Sequence, residues 1–223
     1  MLILVGLGAV TGGGILLGRD LTRSATDSDI KAAARLEVAT RWQRLAAGAI
    51  FPPSISYTDA QVLNTTARLV GIAPPSHCRT ALDRRVAAAV TGAGCTAVLR
   101  ATYMDASGTL VSTVGVAVMA STHAARRASV LVRASQISAG IHSVPFHGTV
   151  ANEFGNAQRQ VFAGAYLWGP YLFFATGGYA DGRVSKSTTV SSDLAALNTG
   201  VMTEVEHVLT HVGAACKLKD IRC

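Results

Sequence analysis

Residues 96–119 carry the pattern that most narrows the choice of fold. Two β-rich runs, residues 96–103 and 109–119, are joined by Met104-Asp105-Ala106-Ser107-Gly108, a turn composition with glycine at a positive-φ position. In the second run Leu110, Val114, Val116 and Val118 alternate with Val111, Thr113, Gly115 and Ala117. Period two places successive side chains on opposite faces of a strand, so this hairpin is expected to pack on one or both faces. A second hairpin is legible over residues 159–168 and 171–179, meeting at Gly169-Pro170. There the glycine suits the first central position of a type II′ turn. Its second arm, YLFFATGGY, is aromatic and fits a sheet core.

Helical periodicity fills the intervals. Residues 26–47 repeat Ile30, Ala33, Leu36, Ala39, Trp42 and Leu45 at helical spacing, with Asp27 or Asp29 as N-cap. Phe51-Pro52-Pro53 ends that helix, because proline cannot continue one. Short strands are expected at residues 55–58 and 65–72, the latter broken by Pro74-Pro75. Further helices are predicted over residues 79–90, 123–135 and 193–212. Ser192 or Asp193 caps the last, with Leu194, Leu197, Val201, Val205, Val208 and Val212 as its buried stripe. This order predicts an α+β fold: an N-terminal transmembrane helix, then an antiparallel sheet with helices packed mainly on one face.

The membrane element in that prediction is the opening MLILVGLGAVTGGGILLGRD. Residues 2–17 contain no charged side chain, and Arg19, Asp20 and Arg23 end the apolar run. A membrane helix needs about 20 apolar residues, range about 17–25, so this segment is at the short end. As a nucleotide-binding loop it fails: Gly6, Gly8 and Gly12 are spaced one residue too long, and no second strand follows. As a cleaved signal peptide it lacks a basic leader and a small-x-small cleavage site. An uncleaved anchor is the better fit. Its flanking charges, Arg19, Arg23 and Lys31, read by the positive-inside rule, place the domain in the cytoplasm. A short basic amino-terminal extension would reverse that orientation.

The four cysteines, Cys78, Cys95, Cys216 and Cys223, favour the opposite side. An even, small set in an exported domain reads as two disulfides, with three connectivities open. The local scheme, Cys78–Cys95 and Cys216–Cys223, is preferred. Their spacing does not offer the close pairs that zinc requires.

Net charge is +7, from 20 Lys and Arg against 13 Asp and Glu. That balance suits lipid headgroups or an anionic cell-wall polymer. The basic residues are scattered as singles and pairs, such as Arg84-Arg85 and Arg126-Arg127, without the interleaved aromatics of a nucleic-acid surface. No G-x-S-x-G, P-loop or H-E-x-x-H appears. His142 and His147 flank a loop, and Glu204, His207 and His211 share one face of the last helix; both groups read as solvated histidines rather than ligands. Asp59, Asp105 and Asp181 read as turn residues. No catalysis, cofactor or metal is expected.

The anchor, RWQRLAAGAIFPPSISYTDAQ, GCTAVLRATYMDASGTLVSTVGVAVM and GPYLFFATGGYADGR resemble a group of actinobacterial single-pass membrane or secreted proteins of unknown function. A more distant, fold-level likeness is to the disulfide-bonded sensor domains of mycobacterial-type serine/threonine kinases. The resemblance implies localisation and a domain type, with no assigned site. The expected organisation is a transmembrane anchor at 1–18, a juxtamembrane helix at 19–50 and an extracytoplasmic α+β domain at 51–223. The expected role is a membrane-anchored binding or accessory protein whose partner is an envelope protein or an anionic cell-wall polymer, sought at the aromatic hairpin or the groove between sheet and helices. The alternative is a structural subunit of a cell-envelope or secretion membrane complex, packed through Gly8 and Gly12.

Overall fold

Both predicted hairpins close, and they form the middle and one edge of a single antiparallel sheet. The computed structural model describes residues 25–61, 63–134, 140–184 and 188–211. The apolar segment at residues 2–17, Cys216, Cys223 and Val212 therefore lie outside the described residues. Among those described, no helix is long and apolar enough to cross a membrane. The chain divides into two compact units, residues 1–37 with 212–223, and residues 38–211.

Helix α1 (Asp27–Arg44) precedes a short turn, α2 (Ala47–Ile50). Strands β1 (Ser54–Thr58) and β2 (Asn64–Ser76) follow, then short helix α3 (Cys78–Ala81) and α4 (Arg84–Gly92). The first hairpin is β3 (Cys95–Met104) and β4 (Leu110–Met119), followed by α5 (Thr122–Ala134). The second is β5 (Val161–Trp168) and β6 (Tyr171–Tyr179), and α6 (Thr188–Thr210) closes the described chain. Strand order is β1-β2-β3-β4-β6-β5, antiparallel throughout. Gly108 and Gly169, the two turn glycines, take φ of 71° and 55°, in the region where a side chain is strained.

The helices cover both faces of the sheet, which corrects the expected one-sided packing. Strand β4 is central and all ten of its residues are buried. Ala117 and Met119 pack with Val86, Val90, Ala124 and Ala128 of α4 and α5. Ser112, of opposite parity, reaches Asn198 of α6. Successive side chains of a strand point to opposite faces, so α4 and α5 lie on one face and α6 on the other. The aromatic strand β6 is likewise buried along its whole length, with Phe173 and Phe174 at 0% and 1% exposure. Burying such a side chain fully contributes about 1.5–3 kcal/mol.

Several local readings change. The N-cap of α1 is Thr26: its hydroxyl accepts from Asp29 N at 3.3 Å, and Asp29 Oδ2 accepts from Thr26 N at 2.9 Å. That reciprocal pair is a capping box with aspartate at the third position. Val38 is the buried residue of α1, while Leu36 is exposed. Strand β2 runs through Pro74-Pro75 rather than stopping there. Its pairing with β1 ends at Arg68 and its register with β3 shifts between Ala73 and Ser76, so the missing N–H groups are not needed. The single helix expected over 79–90 is split at Leu82 and Asp83. Leu82 forms an isolated bridge with Ile141 instead, and both are buried. Helix α6 starts at Thr188, earlier than the expected cap; Leu194, Leu197, Val201 and Val205 are fully buried as expected, and Leu209 rather than Val208 continues the stripe.

Candidate functional site

The split between α3 and α4 builds the most organised polar cluster among the described residues. Asp83 N donates to Gly140 O at 2.9 Å and His142 N to Ala81 O at 2.8 Å, on either side of the Leu82–Ile141 bridge. This short ladder fixes residues 140–142 against 81–83. The Asp83 carboxylate then receives both terminal nitrogens of Arg159, each at 2.9 Å. Such a bidentate pairing matches the planar fork of guanidinium to carboxylate. His142 Nε2 lies 3.3 Å from Asp83 Oδ1, and its Nδ1 is 3.0 Å from the Thr80 carbonyl, to which it donates. Arg159 also donates to Ile141 O and Asn156 O, and its guanidinium lies 5.2 Å from the centre of the Phe162 ring. Three chain segments distant in sequence are thereby tied at one point.

Beside this cluster lies an open groove of about 750 Å³, lined by Arg79, Leu82, Arg84, Ala87, Ala88, Thr91, Gly92 and His142. Its floor is apolar and small-residued. Its rim is cationic, and the nearby acid, Asp83, is already held by Arg159 and His142. Thr91 Oγ1 is buried there without a hydrogen-bond partner. Deeper on the same face, Arg100 donates to Ser76 Oγ at 2.9 Å, while its Nε is buried and unpartnered. Burial lowers the Arg100 pKa, and its side chain lies beside Gly115, where Ile141 covers the sheet.

Charge is segregated between the helices on the two faces of the sheet, α3 to α5 against α6. Arg79, Arg84, Arg85, Arg126, Arg127 and Arg133 are all exposed on α3, α4 and α5, whose own sequences contain no acid. Helix α6, opposite, carries Asp193, Glu204 and Glu206 and no Lys or Arg. There a second groove, about 510 Å³, runs between β1 and α6 and is lined by Ser56, Tyr57, Thr199, Thr203 and Glu204 among others. Burial, with the carboxylates of Asp105, Asp59 and Asp193, pushes the Tyr57 hydroxyl up to about 12.

The sequence-predicted residues fall out as follows. Cys78 and Cys95 are disulfide-bonded, across a sequence separation of 17, and clip α3 to β3. Asp59, Asp105 and Asp181 sit in turns, each accepting backbone N–H groups at its own loop: Gln61 and Leu63, Thr109 and Leu110, and Arg183. His142 and His147 have separate partners, Asp83 with Thr80 and Asn152 respectively. His207 and His211 stack with ring centres 4.5 Å apart, both exposed. No three His, Cys, Asp or Glu side chains among the described residues are grouped to hold a metal. The aromatic hairpin arm is buried core and offers no ligand surface. The Asp83–Arg159 knot was not legible in the sequence, because 76 residues separate its members.

Compared with known proteins, the chain finds no counterpart: no family model, no curated protein and no solved structure matches it significantly.

Proposed function

We propose that this chain is an exported, membrane-anchored binding protein that holds an anionic polymer of the cell envelope in the arginine-rimmed groove beside α4. Residues 1–18 serve as the anchor in this reading and residues 51–223 as the extracytoplasmic domain. One observation carries it: Arg79 and Arg84 rim a groove with an apolar floor, while the neighbouring acid is neutralised within the protein. Two cations with no carboxylate among the described residues lining the groove attract phosphate or carboxylate groups from solution. The Asp83 knot holds the groove's His142 wall in place, so little of the site needs ordering when ligand arrives. The same cluster supports a binding role, its polar atoms being engaged with one another and with backbone carbonyls.

The test is binding of poly(glycerol phosphate) to the full chain at low salt, compared with the Arg79→Ala, Arg84→Ala double variant. The expected result is a loss of at least about tenfold in affinity, with binding by the native chain weakening as salt rises. Equal binding by the two proteins, or none by the native chain, would overturn the assignment.

A further inference from the structure

The outer face of α5 is unlike the rest of the basic layer, because it mixes arginines with large aliphatic side chains. Val130 is 65% exposed and Leu131 50% exposed, on a helix whose other face is buried through Ala124, Ala125, Ala128 and Val132. At about 100° per residue, the exposed positions run around the helix in the order Thr122, Arg133, Arg126, Val130, His123, Arg127, Leu131. They occupy one continuous arc of about 180°. Val130 sits inside that arc with arginines on both sides, and THAARRASVLVRA contains no acid to offset them. On α3 and α4 of the same layer, Arg79, Arg84 and Arg85 extend the positive field.

We infer that this arc is a seat for an anionic lipid bilayer surface. Val130 and Leu131 enter the headgroup boundary, and Arg126, Arg127 and Arg133 meet lipid phosphates around them. A helix with aliphatic side chains between cationic ones lies in the interface plane, because insertion and charge attraction act at the same depth. Each basic residue near such a surface strengthens the attraction, within a Debye length. A soluble polyanion has use for the arginines alone and gains nothing from Val130 and Leu131. This is why the bilayer is favoured over a nucleic acid or polyphosphate. The seat is independent of the groove's ligand and of the anchor, since it rests only on α5.

The experiment uses the full chain carrying Val130→Trp in a Trp42→Phe, Trp168→Phe background, reconstituted into vesicles whose acyl chains are brominated. Ala195→Trp, an exposed site on the opposite, acidic face, is the matched control, and Leu131→Trp is a second reporter. Circular dichroism of each variant verifies that it is folded. In vesicles of phosphatidylglycerol with phosphatidylcholine, position 130 is expected to be quenched strongly and position 195 weakly. In phosphatidylcholine alone, quenching at 130 should fall, and Arg126→Glu with Arg127→Glu should reduce it in the anionic vesicles as well. Quenching at 130 and 131 no greater than at 195 in anionic vesicles would overturn the inference. So would a tryptophan response to RNA or polyphosphate with none to vesicles, which would assign the face to a soluble polyanion.

Discussion

Tyr57 shows how a single side chain reports the charge distribution around it. Its hydroxyl is partly buried between β1 and α6 and faces Asp105, Asp59 and Asp193, so ionisation is opposed by desolvation first and by negative charge second. Its pKa in the folded chain, about 12, is above the ordinary value of 10.0. The folded state therefore favours the protonated phenol. The stability this contributes is complete below pH 10 and is lost as pH rises through 12. Urea unfolding of the native chain should weaken across that window, and Tyr57→Phe should flatten the loss. Tyr103, also raised by burial and by Glu204, leaves a residual slope in the variant. An unchanged slope in Tyr57→Phe would contradict this placement. At this scale the sequence was uneven as a guide. Turn aspartates announce themselves by composition, but Asp83 is distinguished only by Arg159, which arrives from another part of the chain.

The elements are held in register by a few polar contacts inside an otherwise apolar core. Asn198 is fully buried on α6, accepting from Ser112 Oγ at 2.6 Å and donating to Val161 O at 3.1 Å. It therefore joins the helix to a central and an edge strand, and Gly177 leaves room for it, since a Cβ there would stand 2.9 Å from Asn198 Oδ1. Asn198→Ala should cost about 2 kcal/mol in urea unfolding, because Ser112 loses its acceptor in a dry site. Asn198→Ala made in Ser112→Ala should cost less than in the native chain, the sign of direct coupling. Equal costs in the two backgrounds would show that the contact does not carry the effect. Hints of these features stood in the sequence: Asn198 interrupts the apolar stripe between Leu197 and Val201, where a solvated residue is out of place. The hairpins were legible because their turns and period-two patterns are local. Continuation of β2 through Pro74-Pro75 was not, because it depends on which neighbour strand has already ended.

As a whole, the folded unit of residues 38–211 carries a basic layer on one side of its sheet and an acidic helix on the other. Composition revealed the net charge of +7 but not its separation, since the arginines come from α3 and α4 and, about thirty residues further on, from α5. One-sided packing was expected for a similar reason: parity along β4 allows burial of one or both faces, and only the tertiary structure says which helix covers each. The proposed membrane-anchored role joins this basic face to the apolar segment at residues 2–17, and places the Cys78–Cys95 bond on the oxidising side of the membrane. The most direct test is acid-quenched thiol trapping of the full chain in the cells that naturally express it. The account predicts that Cys78 and Cys95 resist alkylation until a reductant is added, then react together. Alkylation of both before reduction would place the domain in a reducing compartment and contradict the proposal.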